Sequence, residues 1–339
     1  MNFKRMISYI DSHAAGEPLR VITNGFPPIK GNTMLEKRKQ VKQSYDGVRK
    51  MLMLEPRGHS GMYGCILTEA VTKDGDFGVL FTHNEGLSTM CGHGIIAVTK
   101  VALQVGMITC KEGLNKIAID SPAGRITAYA EVTNNRIGQI RFINVPSFVY
   151  NENIRVDVGG CGEINADIAF GGAFYVYVNA SEMKKELTLQ NIEYFVKKGM
   201  EIKHKVMDQY SVVHPEEPGL NSIYGTIFMD KVTYAGDKAI SKNLCIFADG
   251  QIDRSPTGTG TAGRVALMKA KGQLEAGMTL YNKSIIDTIF TGKVVEDTTV
   301  GSMKAIIPEI GGDAYIMGFG QMVLDEEDPL PEGFRVIGG

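Results

Sequence analysis

The sequence predicts an α+β fold built from two similar halves, and three observations lead to that prediction. The chain has 339 residues, enough for about two domains of ~150 residues each. Short β-like runs alternate with turns that contain many of the 40 glycines. Two turns of the form X-Gly-x-Gly, "CGHG" at 91–94 and "TGTG" at 257–260, each precede an apolar helix and lie about half a chain length apart. We therefore expect an approximate duplication, with one such turn and helix in each half.

The first half is predicted to contain strands around two helices. Alternating apolar residues between Gly and Asp turns indicate strands, whereas good helix formers at helical spacing indicate helices. The loop "NEGLSTMCGHG" opens the second helix. In chain order the elements are strand, loop and strand in "RMISYIDSHAAGEPLRVITNGFP", a helix in "NTMLEKRKQVKQSYDGVRKMLML", strands in "YGCILTEAV" and "FGVLFTH", a helix in "IIAVTKVALQVGM", and a hairpin around Pro122–Gly124 in "KIAIDSPAGRITAYAEVT".

The second half is predicted to repeat this mixture after a boundary near residue 146. The same spacing rules identify its strands and helices. In chain order they are a strand in "RIGQIRFINVPSFVY", a buried strand with a Gly-Gly start in "DIAFGGAFYVYVNA", an amphipathic helix in "LQNIEYFVKKGMEIKHKVMDQY", strands in "IYGTIFMDKVTYA" and "KNLCIFA", a helix in "RVALMKAKG" opened by "DGQIDRSPTGTGTAG", and β-like runs in "TIFTGKVVEDTTV" and "KAIIPEIGGDAYIMGFGQMVL".

Composition and charge exclude several classes of protein. The net charge is −2, which argues against a nucleic-acid binder with a basic face. No apolar run reaches about 18 residues, and the first residues lack the apolar stretch of a secretory signal. The five cysteines are odd in number and form no C-x-x-C pair, so neither a disulfide framework nor a zinc knuckle is indicated. We expect a cytoplasmic protein with free thiols that does not bind a membrane.

The two glycine-rich turns have the composition of an anion site. A helix N-terminus carries unpaired N–H groups and a partial positive charge, and glycine lets a ligand approach the backbone closely. Two such termini around one cleft would hold a carboxylate or a phosphate. A cysteine at a helix N-terminus has more thiolate character than a free one, so Cys91 is a candidate nucleophile or base. The alternative for Cys91 is a small buried core residue.

One motif in the second turn resembles a nucleotide-binding fingerprint. Gly258 to Gly263 fits G-x-G-x-x-G, which binds dinucleotides when it follows a strand directly within a βαβ unit. Here nine residues, Asp249 to Thr257, intervene after "LCIFA" and include a proline. We therefore do not expect a nucleotide site.

Other polar residues near the turns have two interpretations each. His13 and His59 lie in predicted loops, either as walls of a site or as histidines satisfied within their loops. Asp253 and Arg254 form either a solvated pair or, for Asp253, a carboxylate directed at a substrate ammonium. The aromatic rings of Tyr63 and Phe81 either line a pocket or pack in the core.

Together these motifs resemble the proline racemase family, which includes proline racemase, 4-hydroxyproline epimerase and trans-3-hydroxy-L-proline dehydratase. The resemblance covers nearly the whole chain, in the expected order, through "DSHAAGEPLRVI", "EPRGHSGMYG", "MCGHG", "GGAFYVYV" and "DRSPTGTGTAG". It implies a diaminopimelate-epimerase-like fold with two pseudo-symmetric halves, each a curved β-sheet around a central helix, and a site in the cleft between them. The predicted halves are 1–145 with 317–339, and 146–316. No metal or organic cofactor is implied, and members are commonly homodimers.

The same resemblance assigns roles to residues at the two turns. Family members that invert a stereocentre use one cysteine on each face of the substrate α-carbon, and the first corresponds to Cys91. The second position holds Thr257, and Cys followed by Thr is the pattern of the dehydratase. Four further residues correspond to those that present backbone N–H groups to the substrate carboxylate: Gly92, His93, Gly258 and Thr259. Asp253 corresponds to the carboxylate that binds the ring nitrogen.

The threonine predicts elimination rather than inversion. Inversion needs a base on one face and an acid on the other, and a hydroxyl titrates too far above neutrality to serve as either. The resemblance therefore implies dehydration of trans-3-hydroxy-L-proline to Δ1-pyrroline-2-carboxylate, through the Δ2 enamine, with Cys91 as the proton acceptor and donor. Two alternatives stay open: a proline racemase or 4-hydroxyproline epimerase, and a non-catalytic paralogue that only binds imino acids.

Overall fold

The computed structural model describes residues 3–336 and divides the chain into two compact units. One unit comprises Met1–Ile140 with Asp313–Gly339, and the other comprises Arg141–Gly312. Each unit mixes helices and strands, so the predicted α+β class is confirmed. Within the described range, no helix combines the length and the apolar character needed to cross a membrane.

The first unit is a mixed sheet packed around one apolar helix. Strand pairing gives the order β18-β1-β2-β3-β4-β5-β6, with parallel pairs at β2–β3 and β4–β5. Its elements are β1 (Phe3–Ala14), β2 (Glu17–Asn24), α1 (Met34–Ser44), α2 (Asp46–Met53), β3 (Tyr63–Thr68), β4 (Phe77–His83), α3 (Gly92–Gln104), β5 (Gly113–Ser121), β6 (Gly124–Thr133) and β18 (Ala314–Asp325); β7 (Arg136–Ile143) leads into the second unit.

Helix α3 is the central helix of the first unit. It contacts β1, β2, β6 and β18, and nearly all of its side chains are buried. A helix that is apolar on every side is stable only when it is surrounded by other elements. The composition of "IIAVTKVAL" therefore explains why the sheet curves around it, and this placement puts Cys91 at the buried N-terminal end.

The second unit contains a sheet that closes on itself. Its pairing runs β8-β9-β10-β11-β13-β15-β16-β17, and β17 pairs again with β8. Its elements are β8 (Ser147–Val158), β9 (Gly162–Phe170), β10 (Phe174–Asn179), α4 (Ile192–Gln209), β11 (Ile223–Met229), β12 (Thr233–Ala235), β13 (Lys238–Phe247), β14 (Gln251–Asp253), α5 (Gly258–Ala270), β15 (Thr279–Lys283), β16 (Ile289–Val300) and β17 (Met303–Gly312), with short 3-10 turns at Ala180–Met183, Leu189–Asn191 and Pro218–Leu220.

Helix α5 occupies the interior of this closed sheet. It contacts β8, β9, β10, β16 and β17, and every residue from Gly258 to Met268 is buried. The start of α5 packs closely on the turn between β9 and β10: a Cβ on Gly171 of that turn would lie only 2.2 Å from the Thr259 carbonyl oxygen. Each unit thus holds one buried helix, and each helix begins at one of the two glycine-rich turns.

Several sequence predictions differ from the structure, and "RIGQIRFINVPSFVY" and "IYGTIFMDKVTYA", each predicted as one strand, each contain two strands. The predicted single helix of residues 32–54 is two helices that meet at Tyr45, whose backbone is not helical. The predicted strand "DIAFGGAFYVYVNA" is a hairpin, because Gly171 and Gly172 form the turn between antiparallel β9 and β10. His13 lies in β1 rather than in a loop. Helices α3 and α5 begin at Gly92 and Gly258, so the glycine-rich turns are themselves their first turns.

Candidate active site

The sulfur of Cys91 lies at the N-terminus of α3. Cys91 is the N-cap, with extended backbone, and its Sγ accepts a hydrogen bond from the Gly94 N–H at 3.2 Å. The His93 Nδ1 lies 3.2 Å from the same sulfur. Cys91 is only 5% exposed. The N–H donor and the positive end of the helix dipole stabilise negative charge on this sulfur, whereas its burial disfavours that charge.

The second glycine of this turn provides the space for the sulfur. A Cβ on Gly94 would lie 2.3 Å from the Phe81 ring and 2.9 Å from Cys91 Sγ. Both distances are too short for any side chain. Phe81 is fully buried and belongs to the core, which decides between the two interpretations of this residue. Gly94 therefore lets the helix rest on Phe81 while the sulfur stays over the N–H group.

An aromatic stack borders His93. The Tyr63 ring meets the His93 imidazole edge to face, with centroids 4.8 Å apart, and stacks on His83 at 5.7 Å. The Tyr63 hydroxyl is hydrogen-bonded to Ser88 Oγ. Burial lowers the pKa of His83 to about 3, and the charges of Arg49 and Arg38 act in the same direction. His83 is therefore neutral near pH 7 and supports the stack as an uncharged ring.

Thr257 holds an unusual backbone conformation at the start of α5. Its φ is +64° and its ψ is 107°, which is strained for a β-branched residue by about 1–3 kcal/mol. Its N–H donates to Ser255 Oγ at 3.0 Å, and its carbonyl accepts from the Thr261 N–H at 2.7 Å. Strain of this kind persists only where surrounding contacts fix the backbone, and it often marks a functional site.

The Thr257 hydroxyl is buried and has no hydrogen-bond partner among residues 3–336. The residue is 5% exposed. Unlike the Cys91 sulfur, its Oγ1 makes no capping bond to the helix that follows. A buried hydroxyl left in this state loses its bonds to water without replacement, which is rare in folded proteins. The group is thus available to a bound molecule.

The second turn repeats the glycine contact of the first turn, and its Thr259 side chain has a hydrogen-bond partner within the same unit. A Cβ on Gly260 would lie 2.5 Å from Ile227 and 3.0 Å from the Thr257 side chain, as one on Gly94 would meet Phe81 and Cys91. The Thr259 hydroxyl is hydrogen-bonded to the Tyr175 hydroxyl at 2.8 Å. Burial raises the pKa of Tyr175 well above its usual value, so that phenol is neutral. The Thr259 side chain is therefore used within the unit, and its backbone N–H is what it can offer a ligand.

Asp253 is the last residue of β14 and is buried. Its backbone pairs with Cys245 on β13, and its Oδ1 accepts the Ser255 N–H at 2.8 Å. It is only 5% exposed, so a solvated pair with Arg254 is the wrong interpretation for this carboxylate. Because β14 is antiparallel to β13, the G-x-G-x-x-G segment does not follow the parallel strand of a dinucleotide-binding unit. This agrees with the expectation of no nucleotide site.

The structure groups the predicted site residues at the two turns. Cys91, Gly92 and His93 lie together in the first unit, and Asp253 lies with Thr257, Gly258 and Thr259 in the second. His13 and His59 have local partners: His13 Nδ1 accepts the Gly16 N–H at 3.2 Å, and the exposed His59 lies 2.8 Å from the Ser60 carbonyl. No group of three or more His, Cys, Asp or Glu side chains in residues 3–336 is arranged to hold a metal ion.

Sequence reasoning missed three supports of the turns. Gly94 and Gly260 provide space for the cap side chains, and Ser255 connects Asp253 to the Thr257 N–H. The second glycine of X-Gly-x-Gly, which is present in both turns, could have identified Gly94 and Gly260 from the sequence. A serine two residues after an aspartate, before a proline, has the pattern of a side-chain turn and was a weaker one.

The chain is similar to known proteins over nearly its whole length. The family model described as proline racemase matches residues 9–335. The chain is 43% identical to a trans-3-hydroxy-L-proline dehydratase of Burkholderia cenocepacia and 43% identical to a 3-hydroxyproline 2-epimerase of Burkholderia multivorans. Each match covers 99% of this chain and 100% of the relative. A crystal structure of a hydroxyproline epimerase from Agrobacterium vitis with bound trans-4-OH-L-proline is 29% identical, with a TM-score of 0.92 over 99% of this chain and 97% of that one.

These similarities extend over both units and include both glycine-rich turns. The fold and the matched length agree with one another. The chain therefore belongs to the proline racemase family.

Proposed function

We propose that the chain is a cofactor-independent hydro-lyase that converts trans-3-hydroxy-L-proline to Δ1-pyrroline-2-carboxylate and water. The observation that carries the proposal is the difference between the two turns. One holds a cysteine sulfur beside an N–H group and an imidazole, and the other holds the buried hydroxyl of Thr257. Relatives that are 43% identical over the full chain and are named trans-3-hydroxy-L-proline dehydratase support it.

In this proposal the residues of each turn have the roles that the family resemblance implies. The backbone N–H groups of Gly92, His93, Gly258 and Thr259 bind the substrate carboxylate, as the first N–H groups of a helix bind anions. Asp253 binds the ring ammonium. Its burial favours this role, because a buried carboxylate is stabilised by a charged partner. The substrate is thereby held by its two charged groups, with C2 directed at the acid–base residue.

The proposed chemistry is a syn elimination that uses a single acid–base residue. In trans-3-hydroxy-L-proline the hydroxyl and the C2 hydrogen lie on the same face of the ring. Cys91 thiolate removes the C2 proton, the electron pair forms the C2–C3 double bond, and the C3–O bond breaks. The Cys91 thiol returns its proton to the departing oxygen, so water leaves and the thiolate is restored. The Δ2 enamine then gains a proton at C3 and loses one from nitrogen to give the Δ1 imine.

The helix termini lower the barrier by stabilising negative charge. As the C2 proton leaves, charge develops on the substrate carboxylate, and preorganised N–H groups stabilise that charge better than mobile water does. Thr257 neither removes nor supplies a proton on the opposite face, since its hydroxyl titrates far above neutrality. Its buried Oγ1 instead donates a hydrogen bond to the substrate or to a water that accompanies it.

The second candidate is epimerisation at C2 of a 3-hydroxyproline. The 3-hydroxyproline 2-epimerase of Burkholderia multivorans, which is 43% identical, favours it. Epimerisation requires a proton donor on the face opposite Cys91. Thr257 cannot fill that role, so the dehydratase is the better supported function.

Incubation with trans-3-hydroxy-L-proline in D2O, followed by NMR, tests the proposal. L-proline and trans-4-hydroxy-L-proline are incubated in parallel. We expect the cyclic imine from the 3-hydroxy compound alone. Deuterium at C2 with inverted configuration, in any of the three, would establish an epimerase or racemase instead. Binding without reaction would indicate the non-catalytic paralogue.

We also propose that the enzyme acts in the cytoplasm as a homodimer, without nucleic-acid or membrane partners. No disulfide joins the five cysteines, all of which lie in the described part of the chain, and this supports a reducing compartment. The resemblance to family members supports the dimer. Light scattering on the purified protein measures its mass, and a value near 37.0 kDa would contradict the dimer.

A further inference from the structure

The carbonyl of Pro256, directly before Thr257, accepts three hydrogen bonds from buried side chains. The donors are Asn243 Nδ2 at 3.1 Å, Thr261 Oγ1 at 3.1 Å and Asn282 Nδ2 at 3.4 Å. Each of the three residues is 1% exposed or less. A carbonyl oxygen has two lone pairs, so these donors use its full capacity. The plane of the Pro256–Thr257 peptide is therefore held from the interior of the second unit.

Arg264 determines which way the Asn282 amide faces. Its guanidinium donates to Asn282 Oδ1 at 2.8 Å and to Ser241 Oγ at 2.6 Å. Because a guanidinium has only donors, it must face the oxygen of the amide and not the nitrogen. The Asn282 Nδ2 is thereby directed at Thr261 Oγ1, at 2.9 Å, and at Pro256. Arg264 is 1% exposed, so water does not compete for these bonds.

The held peptide controls a strained residue. Thr257 has a φ of +64°, and a β-branched residue leaves that region unless its neighbours prevent it. Ser255 Oγ holds the Thr257 N–H from one side, and the Asn282 network holds the Pro256 carbonyl from the other. Rotation of this one peptide would redirect the Thr257 hydroxyl and shift the first N–H groups of α5.

We propose that Asn282, oriented by Arg264, is a positioning residue for the Thr257 turn. It contacts no substrate atom. Through Pro256 it sets the direction of the Thr257 hydroxyl and of the Gly258 and Thr259 N–H groups that receive the substrate carboxylate. The inference rests on the proposed function to the extent that this turn binds substrate, and its test separates the two.

The variant Asn282→Asp tests the inference with little change of shape. The carboxylate keeps an acceptor for Arg264 and gives that buried cation a counter-ion, so the fold is retained. It loses the N–H donor, and the Thr261 hydroxyl turns to donate to the new carboxylate. Pro256 then keeps only Asn243 as a donor. We expect kcat to fall ~tenfold or more, because small errors in the position of catalytic groups have large effects on rate. We expect KM to change less than kcat, and the unfolding temperature to stay equal or rise.

Two further variants keep the inference testable if Asn282→Asp does not fold. Thr261→Val removes one donor to Pro256, and Thr261→Ser retains the hydroxyl. We expect a fall in kcat for the valine variant and recovery for the serine variant. Asn115→Asp is the matched control: Asn115 is a buried asparagine of the first unit that donates to the Lys111 and Gly113 carbonyls, and its change should leave kcat unaltered.

The outcomes separate positioning from a merely structural role. A folded Asn282→Asp enzyme with the kcat of the parent would overturn the inference, as would activity that falls only in proportion to unfolded protein. If the parent chain does not dehydrate trans-3-hydroxy-L-proline, the proposed function fails, and calorimetric binding of L-proline becomes the readout. Weaker binding by Asn282→Asp then supports the positioning role, and equal binding contradicts it.

Discussion

Cys91 Sγ accepts a hydrogen bond from the Gly94 N–H at 3.2 Å and thereby caps the N-terminus of α3. The equivalent position of the second unit, Thr257, makes no such bond, and its hydroxyl is buried without a partner in the described part of the chain. Two turns with the same sequence pattern thus hold their first side chains differently. One places a sulfur beside an N–H group and an imidazole, and the other presents a hydroxyl without a hydrogen-bond partner among residues 3–336.

Replacement of the sulfur tests its role as the acid–base residue. Cys91→Ser should lower kcat for dehydration by ~100-fold or more, since a positioned acid or base contributes about 10²–10⁴-fold. Stability should change little, because serine is a good N-cap. Steady-state kinetics and urea unfolding measure the two effects. Cys110→Ser, at an exposed cysteine, is the control and should behave like the parent. If Cys91→Ser retains most of the activity, Cys91 is not the base.

Removal of the buried Thr257 hydroxyl should raise the stability of the protein and lower its activity. Thr257→Val keeps the shape of the side chain but deletes an oxygen that has no hydrogen-bond partner within residues 3–336. The free energy of unfolding of the ligand-free protein should therefore rise by about 1 kcal/mol. Activity should fall, because the substrate loses a hydrogen bond. Thr99→Val deletes a similar buried hydroxyl in α3 and should stabilise without affecting kcat. Equal activity in both variants would show that the Thr257 hydroxyl is not used.

A second cysteine should restore inversion. Thr257→Cys places a group that titrates nearer neutrality than a hydroxyl at the position where stereoinverting family members carry their second cysteine, so exchange at C2 should begin to proceed with inversion. The readout is chiral analysis of trans-4-hydroxy-L-proline recovered from D2O. Thr257→Ser, which cannot exchange a proton near neutrality, is the control. Inversion by the serine variant would contradict this account of position 257.

The space under the sulfur should be essential. Gly94→Ala places a Cβ 2.3 Å from the Phe81 ring and 2.9 Å from Cys91 Sγ, so the helix start or the sulfur must move. We expect lower stability, by roughly 1–3 kcal/mol as for other overpacked cores, together with a loss of kcat. Gly318→Ala, whose Cβ would meet no atom within 4 Å, is the matched control. Parent-like kinetics in Gly94→Ala would mean that the sulfur position is not critical.

Burial of His83 should make stability depend on pH. Its folded-state pKa is about 3, below the ordinary value of 6.5, chiefly because burial disfavours the charged ring. The unfolded chain therefore binds more protons between these values, and the stability present above pH 6.5 is lost as the pH falls toward 3. In urea unfolding, the free energy of unfolding of the parent should fall between pH 7 and pH 4 by up to ~3 kcal/mol more than that of His83→Gln. Parallel curves for the two proteins would exclude His83 as the source.

Local pattern was sufficient to predict much of the fold. Helix α4 and the hairpin of β5 and β6 occur where periodicity and turn residues predict them. The prediction failed where neighbours in space decide. Gly94 and Gly260 are poor helix formers, yet they lie in helices, and a Cβ at either position would clash with Phe81 or Ile227. The assignment of roles at both turns stays a prediction until the variants are measured.

The duplicated turns, the apolar helices that follow them, and the cysteine at one position against the threonine at the other can be read directly from the chain. These properties depend on residue type and short-range spacing alone. Three features depend on the folded protein: the Cys91 sulfur caps its helix, Thr257 is held at positive φ, and Asn282 and Arg264 hold the peptide before Thr257. The reason is physical: Pro256, Asn243 and Asn282 lie on segments distant in sequence, and their hydrogen bonds form only when the sheet of the second unit closes around α5.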